Sequence, residues 1–280
     1  MMWSLVSIEL YKIIRRPRSY IGFAAIAAIV AAIHLAMYID GPGYVSFFIQ
    51  QLEQSFSIQG KIINGNLVTW LILQTLIVQM PLLVALVTGD LLSGESASGT
   101  IRLLATKPVS RSTIIMAKFL AGNIYTVVLV VWLGLISLGV GLLIFGNGDL
   151  IVLNSNHISI FRADDTMWRF GAALLIACLS LSVVATFSSM LSAYTDNSIG
   201  PIVTTMAVVI IFTIIGTMEF PLFEKISPFL FTTHMVIWRG MFDDPVDWRH
   251  VTASVMVLIG HIALFLGITL AHFNRKDILN

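Results

Sequence analysis

Apolar and polar positions alternate along the chain in long blocks. Six apolar blocks, over about residues 20–39, 66–90, 115–145, 169–193, 198–219 and 251–273, each contain enough uncharged residues to cross a bilayer core of about 30 Å as a helix. Charged residues in these blocks keep to the boundaries, as with Lys118, Arg169 and Asp196. Ahead of the first block, Trp3, Val6, Leu10, Ile13 and Ile14 recur at helical spacing, with Glu9, Lys12, Arg15 and Arg16 falling largely between them. That pattern predicts an amphipathic helix over residues 1–18, lying in the interface until Pro17 breaks it. The expected architecture is all-α: one transmembrane domain over residues 1–280, with six spans.

Small residues suggest where the helices approach closely. Ala24, Ala28, Ala32 and Ala36 share a face of the first span, and Gly134, Gly139, Gly141 and Gly146 crowd the third. Pro81 is expected to kink the second span. The fourth is rich in hydroxyls, at Ser180, Ser182, Ser188, Ser189 and Ser192.

Composition narrows the function classes. Of 280 residues, 57% are hydrophobic and 11% charged, and mean hydropathy is +0.91. Soluble domains carry about 25% charged residues. This excludes a soluble enzyme, a disordered chain and a nucleic-acid binder. The net charge of +1 supplies no field for polyanions. The lone Cys178 excludes an intrachain disulfide and reads as a small apolar filler. Ten Lys and Arg fall on the side holding the N-terminal helix and six on the other. Positive charge concentrates in cytoplasmic loops. The expectation is therefore a multi-pass protein of the cytoplasmic (inner) membrane with both termini cytoplasmic.

Catalytic signatures are scarce. The sequence contains no GxxxxGK[ST] phosphate loop and no GxSxG string. Leu92-Ser93-Gly94-Glu95-Ser96 looks like the signature peptide of ABC ATPases but has no nucleotide-binding domain around it. The six histidines show no i, i+4 metal pair. An ionisable residue within a span is a functional candidate by default, which singles out His261. With Ser182 and Ser189 it makes a possible polar pathway, although intramembrane serines and histidines commonly bond their own helix or a neighbour. The expectation is a non-enzymatic chain with no metal and no cofactor of its own.

The segment over residues 93–111 carries the most information. Thr100 is suited to cap a short helix bearing Ile101, Arg102, Leu103 and Leu104, and Pro108 ends it. Ser110 then caps the third span. Gly94-Glu95, Gly99-Thr100, Leu103-Leu104, Pro108-Val109-Ser110-Arg111 and Lys118 stand in the order and spacing of a GE…GT…LL…P(V/L)SR pattern with a following Lys. On these residues the chain resembles the permease subunit of type-two ABC exporters. It resembles most the compact six-span branch that serves copper-enzyme maturation, gliding and secretion machinery, sodium extrusion and peptide-antibiotic resistance. Where many members carry acids after the GE pair, this chain has Ser96, Ala97 and Ser98.

The resemblance implies that residues 93–111 form a coupling helix seated on a separate ATPase, through Gly94, Glu95, Gly99, Thr100, Arg102, Leu103, Leu104, Pro108, Ser110 and Arg111. It implies two ABC ATPase subunits, which bind ATP and Mg, and a second permease as homo- or heterodimer. It also implies extracellular re-entrant helices over residues 220–250 and room for accessory extracytoplasmic proteins. Trp238 and Trp248 suit a membrane interface. A self-sufficient secondary transporter or channel, or a non-transporting scaffold on the same fold, remain the alternatives. The first of these needs ionisable groups within its spans to couple ions.

Overall fold

The computed structural model describes residues 2–53, 62–100, 109–153, 158–218 and 220–275. Helix α1, Met2–Arg15, stops just before Pro17. Helix α2, Arg18–Glu53, leaves helical geometry at Asp40 (φ −134°, ψ 30°), so its apolar span closes near there. Then follow α3, Gly65–Thr88, with Pro81 inside it; the five-residue α4, Ser93–Ala97; and α5, Arg111–Phe145. After them come α6, Ala163–Ala193, and α7, Ile199–Thr217. Short helices α8, Pro221–Ile226, and α9, Phe231–Met235, alternate with 3-10 turns at Ser227–Phe229 and Val236–Phe242 before α10, Trp248–Arg275. Among the described residues six helices are long and apolar enough to cross a membrane. The chain is a multi-pass, predominantly α-helical membrane protein.

Two caps set where long helices begin. Asn64 is extended and its side chain accepts the Leu67 amide, 3.0 Å. Ser110 is likewise extended, and its hydroxyl accepts the Thr113 amide at 3.2 Å. Each satisfies one of the donors that the first turn of a helix leaves unpaired.

Helices α3 and α6 form the centre. In each, 56% of the most apolar window is buried, against 17% in α7 and α10. Ile72, Leu73, Leu76, Met80 and Val84 of α3 meet Leu129 and Leu133 of α5 and Leu181 of α6 in one core cluster. The outer helices keep apolar faces uncovered, with Val203 of α7 and Met256 and Leu264 of α10 all more than half exposed. In water such faces would drive association; in a bilayer they meet acyl chains.

Glycine serves packing at one crossing above all. A Cβ on Gly65 would stand 2.7 Å from the Gly141 carbonyl group, so α3 and α5 touch backbone to backbone. The Gly65 amide also donates to Gly146 O at 2.8 Å. The alanine face of the first span makes no such contact within the single chain. Ala24, Ala28, Ala32 and Ala36 point outward, and α2 packs through Ile26, Val30, His34 and Met37.

Two short strands accompany the helices of this all-α architecture. β1, Leu150–Leu153, and β2, Ile158–Phe161, pair antiparallel, with Leu150 opposite Phe161 and Leu153 opposite Ile158. Leu150, Val152 and Phe161 turn their side chains into the core. The segment after α7 also differs in detail from the sequence reading. Trp238 is buried at 1% exposure beside Phe242 rather than set at an interface, whereas Trp248 is exposed and stacks on Trp168 with ring centroids 6.4 Å apart.

Candidate functional site

Of the residues that the sequence reading singles out between 93 and 111, Glu95 lies where α1, α4 and the start of α5 meet. Lys118, in the second turn of α5, is 2% exposed, and Glu9 and Glu95 are 6% and 4% exposed. Their charges close a ring. Lys118 Nζ lies 2.9 Å from Glu9 Oε2 and 2.7 Å from Glu95 Oε1. Lys12 Nζ lies 2.7 Å from Glu9 Oε1 and 2.8 Å from Glu95 Oε1. Each carboxylate therefore meets both ammonium groups, and the ring is neutral. Buried charge is tolerated on just these terms, because an unpaired ion carries a desolvation cost of several kcal/mol.

Lys12 is the ring's most exposed member. Burial alone would lower its pKa, but hydrogen bonds and opposite charge from Glu9 and Glu95 outweigh burial and hold it above lysine's ordinary value of 10.5. Lys12 thus stays protonated throughout the physiological range.

A second set of charges supports the start of the same turn. The buried carboxylate of Asp90 accepts from Arg16 Nη1 and lies 3.1 Å from Arg18 Nη1. Both arginines flank Pro17, at the joint between α1 and α2. Gly94 faces this carboxylate so closely that a Cβ there would collide with it. From the other side, Ser192 Oγ accepts the amides of Leu92 (3.1 Å) and Ser93 (2.8 Å) and donates to Ser93 Oγ at 3.1 Å. Helix α4 is thus held by α1, α5 and α6 together.

Beyond α4 the chain turns through Gly99, whose φ of +69° is the left-handed conformation that favours glycine. Thr100 Oγ1 donates back to Glu95 O at 3.3 Å. Arg102, Leu103, Leu104 and Pro108 lie outside the described residues. At the far end of the loop, Arg111 Nη1 reaches the carbonyls of Phe273 and Asn274, both at 3.4 Å. A cation there complements the negative end of the α10 dipole.

The sequence reading aims Glu95 and Arg111 at a partner protein. Their described contacts turn inward instead, toward Lys118 and Lys12 for Glu95 and toward α10 for Arg111. Glu9 is the residue that sequence reasoning missed. It was grouped with the polar positions of α1, yet it shares the buried face with Val6 and Ile13. Its spacing of three from Val6 and four from Ile13 was the available signal.

The three pathway candidates have local partners. Ser182 Oγ donates to Cys178 O at 2.8 Å, and Ser189 Oγ to Thr88 O at 3.4 Å. His261 Nδ1 is 2.9 Å from Val257 O, with its ring against Phe231 and Phe265. Of the three, only Ser189 lines the cavity of about 10 Å³ near Lys118, which has room for a single water. Among the described residues, the histidine most withdrawn from the surface is His34, 2% exposed in α2, its Nδ1 2.8 Å from Val30 O.

The opposite end of the bundle is built differently. Asn64 Nδ2 donates to Asp149 O at 2.7 Å, and Asn66 Nδ2 to Gly148 O at 2.7 Å and to Asn147 Oδ1 at 3.0 Å. Arg169, 7% exposed, donates from Nε to Asp165 at 2.8 Å and from Nη1 to Met241 O at 2.7 Å and Asp243 O at 3.0 Å. Its guanidinium also lies over the Phe161 ring, 4.2 Å from the centroid. This one side chain ties β2 and the Val236–Phe242 turn to α6.

Six spans and a charged junction at one end define a polytopic membrane protein. The chain belongs to the family described as "Protein of unknown function (DUF2705)", which matches residues 25–279. It is 29% identical over 154 residues to the ABC transporter permease protein NatB of Bacillus subtilis (strain 168), covering 51% of this chain and 38% of that one. It is 25% identical over 206 residues to the uncharacterized protein YhcI of the same organism, covering 70% of this chain and 63% of that one. The chain thus spans less than two thirds of the length of either relative.

Proposed function

We propose that this chain is the membrane-spanning subunit of an ATP-driven exporter of the type-two ABC class, with residues 93–111 as its coupling element. The observation that carries the reading is the construction of α4. A five-residue helix is fixed to three longer helices by a buried ion ring and by Ser192, immediately before a loop that returns to α5 at Ser110. A loop held this way passes a push at its tip to the bundle instead of absorbing it. Similarity to NatB supports the class.

In this reading the end carrying α1 faces the cytoplasm and the hairpin end faces outward. Two copies, or this chain and a related permease, form the substrate pathway. Two ATPase subunits dock on the loops and supply ATP- and Mg-dependent work, and accessory proteins are free to join on the outer face. Gly94 and Glu95 fix the root of the loop. Gly99 and Thr100 turn it. Arg102, Leu103, Leu104 and Pro108 present its tip, and Ser110 and Arg111 return it to the bundle. Ser182, Ser189 and His261 are the side chains assigned to the pathway.

A secondary transporter is the weaker reading. Among the described residues, the buried formal charges are Glu9, Asp90, Glu95, Lys118 and Arg169, and each lies within about two turns of a helix end. A carrier coupled to ions would hold them near the midplane.

Charge reversal at the loop tip tests the assignment. Arg102→Glu with Lys107→Glu should leave the chain in the membrane but remove the ABC ATPase that co-purifies with it. The same reversals at Arg162 and Arg249, outside in this reading, should leave that ATPase bound. Retention of the ATPase by the tip variant would overturn the coupling role.

A further inference from the structure

We propose that Glu9 and Lys12 are positioning residues for the coupling loop: the N-terminal helix, and not the spans alone, sets where α4 stands. For its consequence in transport this rests on the function proposed above, but the physical claim is independent of it.

Helix α4 has five residues, too few to hold a helical conformation alone. Its position must come from its attachments. The spans supply Lys118 to Glu95 and Ser192 to the amides of Leu92 and Ser93. Helix α1 and its joint with the first span supply the rest: Lys12 to Glu95, Glu9 to Lys118, and Arg16 with Arg18 to Asp90. Glu95 Oε1 alone receives both ammonium groups, at 2.7 and 2.8 Å. Glu9 occupies the opposite corner and touches both of the same lysines, at 2.7 and 2.9 Å.

The ring makes these contacts interdependent. With Glu9 neutralised, two ammonium groups remain facing each other over the single carboxylate of Glu95. Lys118 cannot move to water, because it is enclosed between α1 and α5. The excess positive charge then pushes Lys12, and α1 with it, away from the junction. Glu95 loses one of its two donors although no atom of α4 was changed. Disturbance at residue 9 thus travels to residue 95 through Lys12 and Lys118. Helix α1 also contributes Val6 and Ile13 to the same contact, so its apolar docking and its charges act as a unit.

Hydrogen exchange of the full chain in lipid nanodiscs, without any ATPase, tests this. Glu9→Gln should speed exchange about tenfold at the amides of Gly94, Glu95, Ser96, Ser98 and Gly99, all of which are hydrogen-bonded within this turn. Lys12→Gln, at the ring's exposed corner, should do the same on a smaller scale, and Lys12→Arg should restore slow exchange. The Lys12 pair keeps the test valid should Glu9→Gln not accumulate. Wild-type exchange at α4 in both neutral variants, with α1 loosened or not, would overturn the proposal. Where an ATPase co-purifies, Glu9→Gln should also raise hydrolysis per substrate moved, a ratio that plain destabilisation does not change. Loosening of α4 in a chain that binds no ATPase would leave the ring proposal standing and defeat the coupling function instead.

Discussion

The two ends of the bundle solve the same problem with different chemistry. Both must tie loops to helices where the apolar core stops. The hairpin end does so mainly through backbone carbonyls: Asn64 and Asn66 grip residues 147–149, and the Arg169 guanidinium, paired one turn away with Asp165, reaches Met241 O and Asp243 O. The other end uses full charges drawn from distant parts of the chain, Glu9 with Lys118 and Lys12 with Glu95. Hydrogen bonds to carbonyls depend on short-range geometry and fail abruptly when it is lost. Ion pairs act over longer range and respond to any charge brought near. One end is therefore built to stay fixed, and the other to be held firmly yet remain sensitive to a charged partner.

That contrast breaks most severely at Lys118. Lys118→Met leaves Glu9 and Glu95 facing each other without the enclosed cation, which should destabilise the fold by about 4 kcal/mol. Thermal unfolding in detergent reads the loss, and hydrogen exchange should place it at α1 and α4, with the hairpin end unchanged. Gly65→Ala attacks the opposite end. The new Cβ meets the Gly141 backbone at 2.7 Å, so α3 and α5 must part, at about 2 kcal/mol. Its faster exchange should appear around residues 62–69 and 141–149 and spare α4. The smallest effect is expected from Ser192→Ala. It removes the acceptor for two buried amides, at about 1 kcal/mol. Unlike Lys118→Met, it should loosen α4 while leaving α1 docked.

Much of this architecture was legible in the sequence, for reasons that differ by element. The six spans follow from runs of apolar residues, a signal set by the thickness of the bilayer and independent of tertiary detail. The cap at Ser110 was legible because capping is local: the hydroxyl reaches an amide only three residues on. The strands Leu150–Leu153 and Ile158–Phe161 are not read from the sequence, although both are apolar and β-branched and the sequence between them is polar, Asn-Ser-Asn. Their shortness hid them behind the third span. The charged ring was not legible as a ring. Glu9 and Glu95 are 86 positions apart, and nothing local to either says that they share two lysines. Trp238 misled because tryptophan favours interfaces in general, while here its ring fills the space beside Phe242. The alanine face of α2 is exposed in the single chain, which leaves it available for contact with a second permease.

With residues 93–111 as the coupling element, the loop rooted in α4 receives an ATPase while the hairpin end does not. A photo-crosslinking residue at Ser98, exposed just beyond α4, and another at Arg162, exposed beside β2, test it in the same native membranes. A crosslink is expected from position 98 to an ABC ATPase, identified by mass spectrometry and altered by trapping that ATPase with nucleotide, and none from position 162. A crosslink to the ATPase from position 162, or its absence from position 98 in membranes where the complex is assembled, would contradict the account.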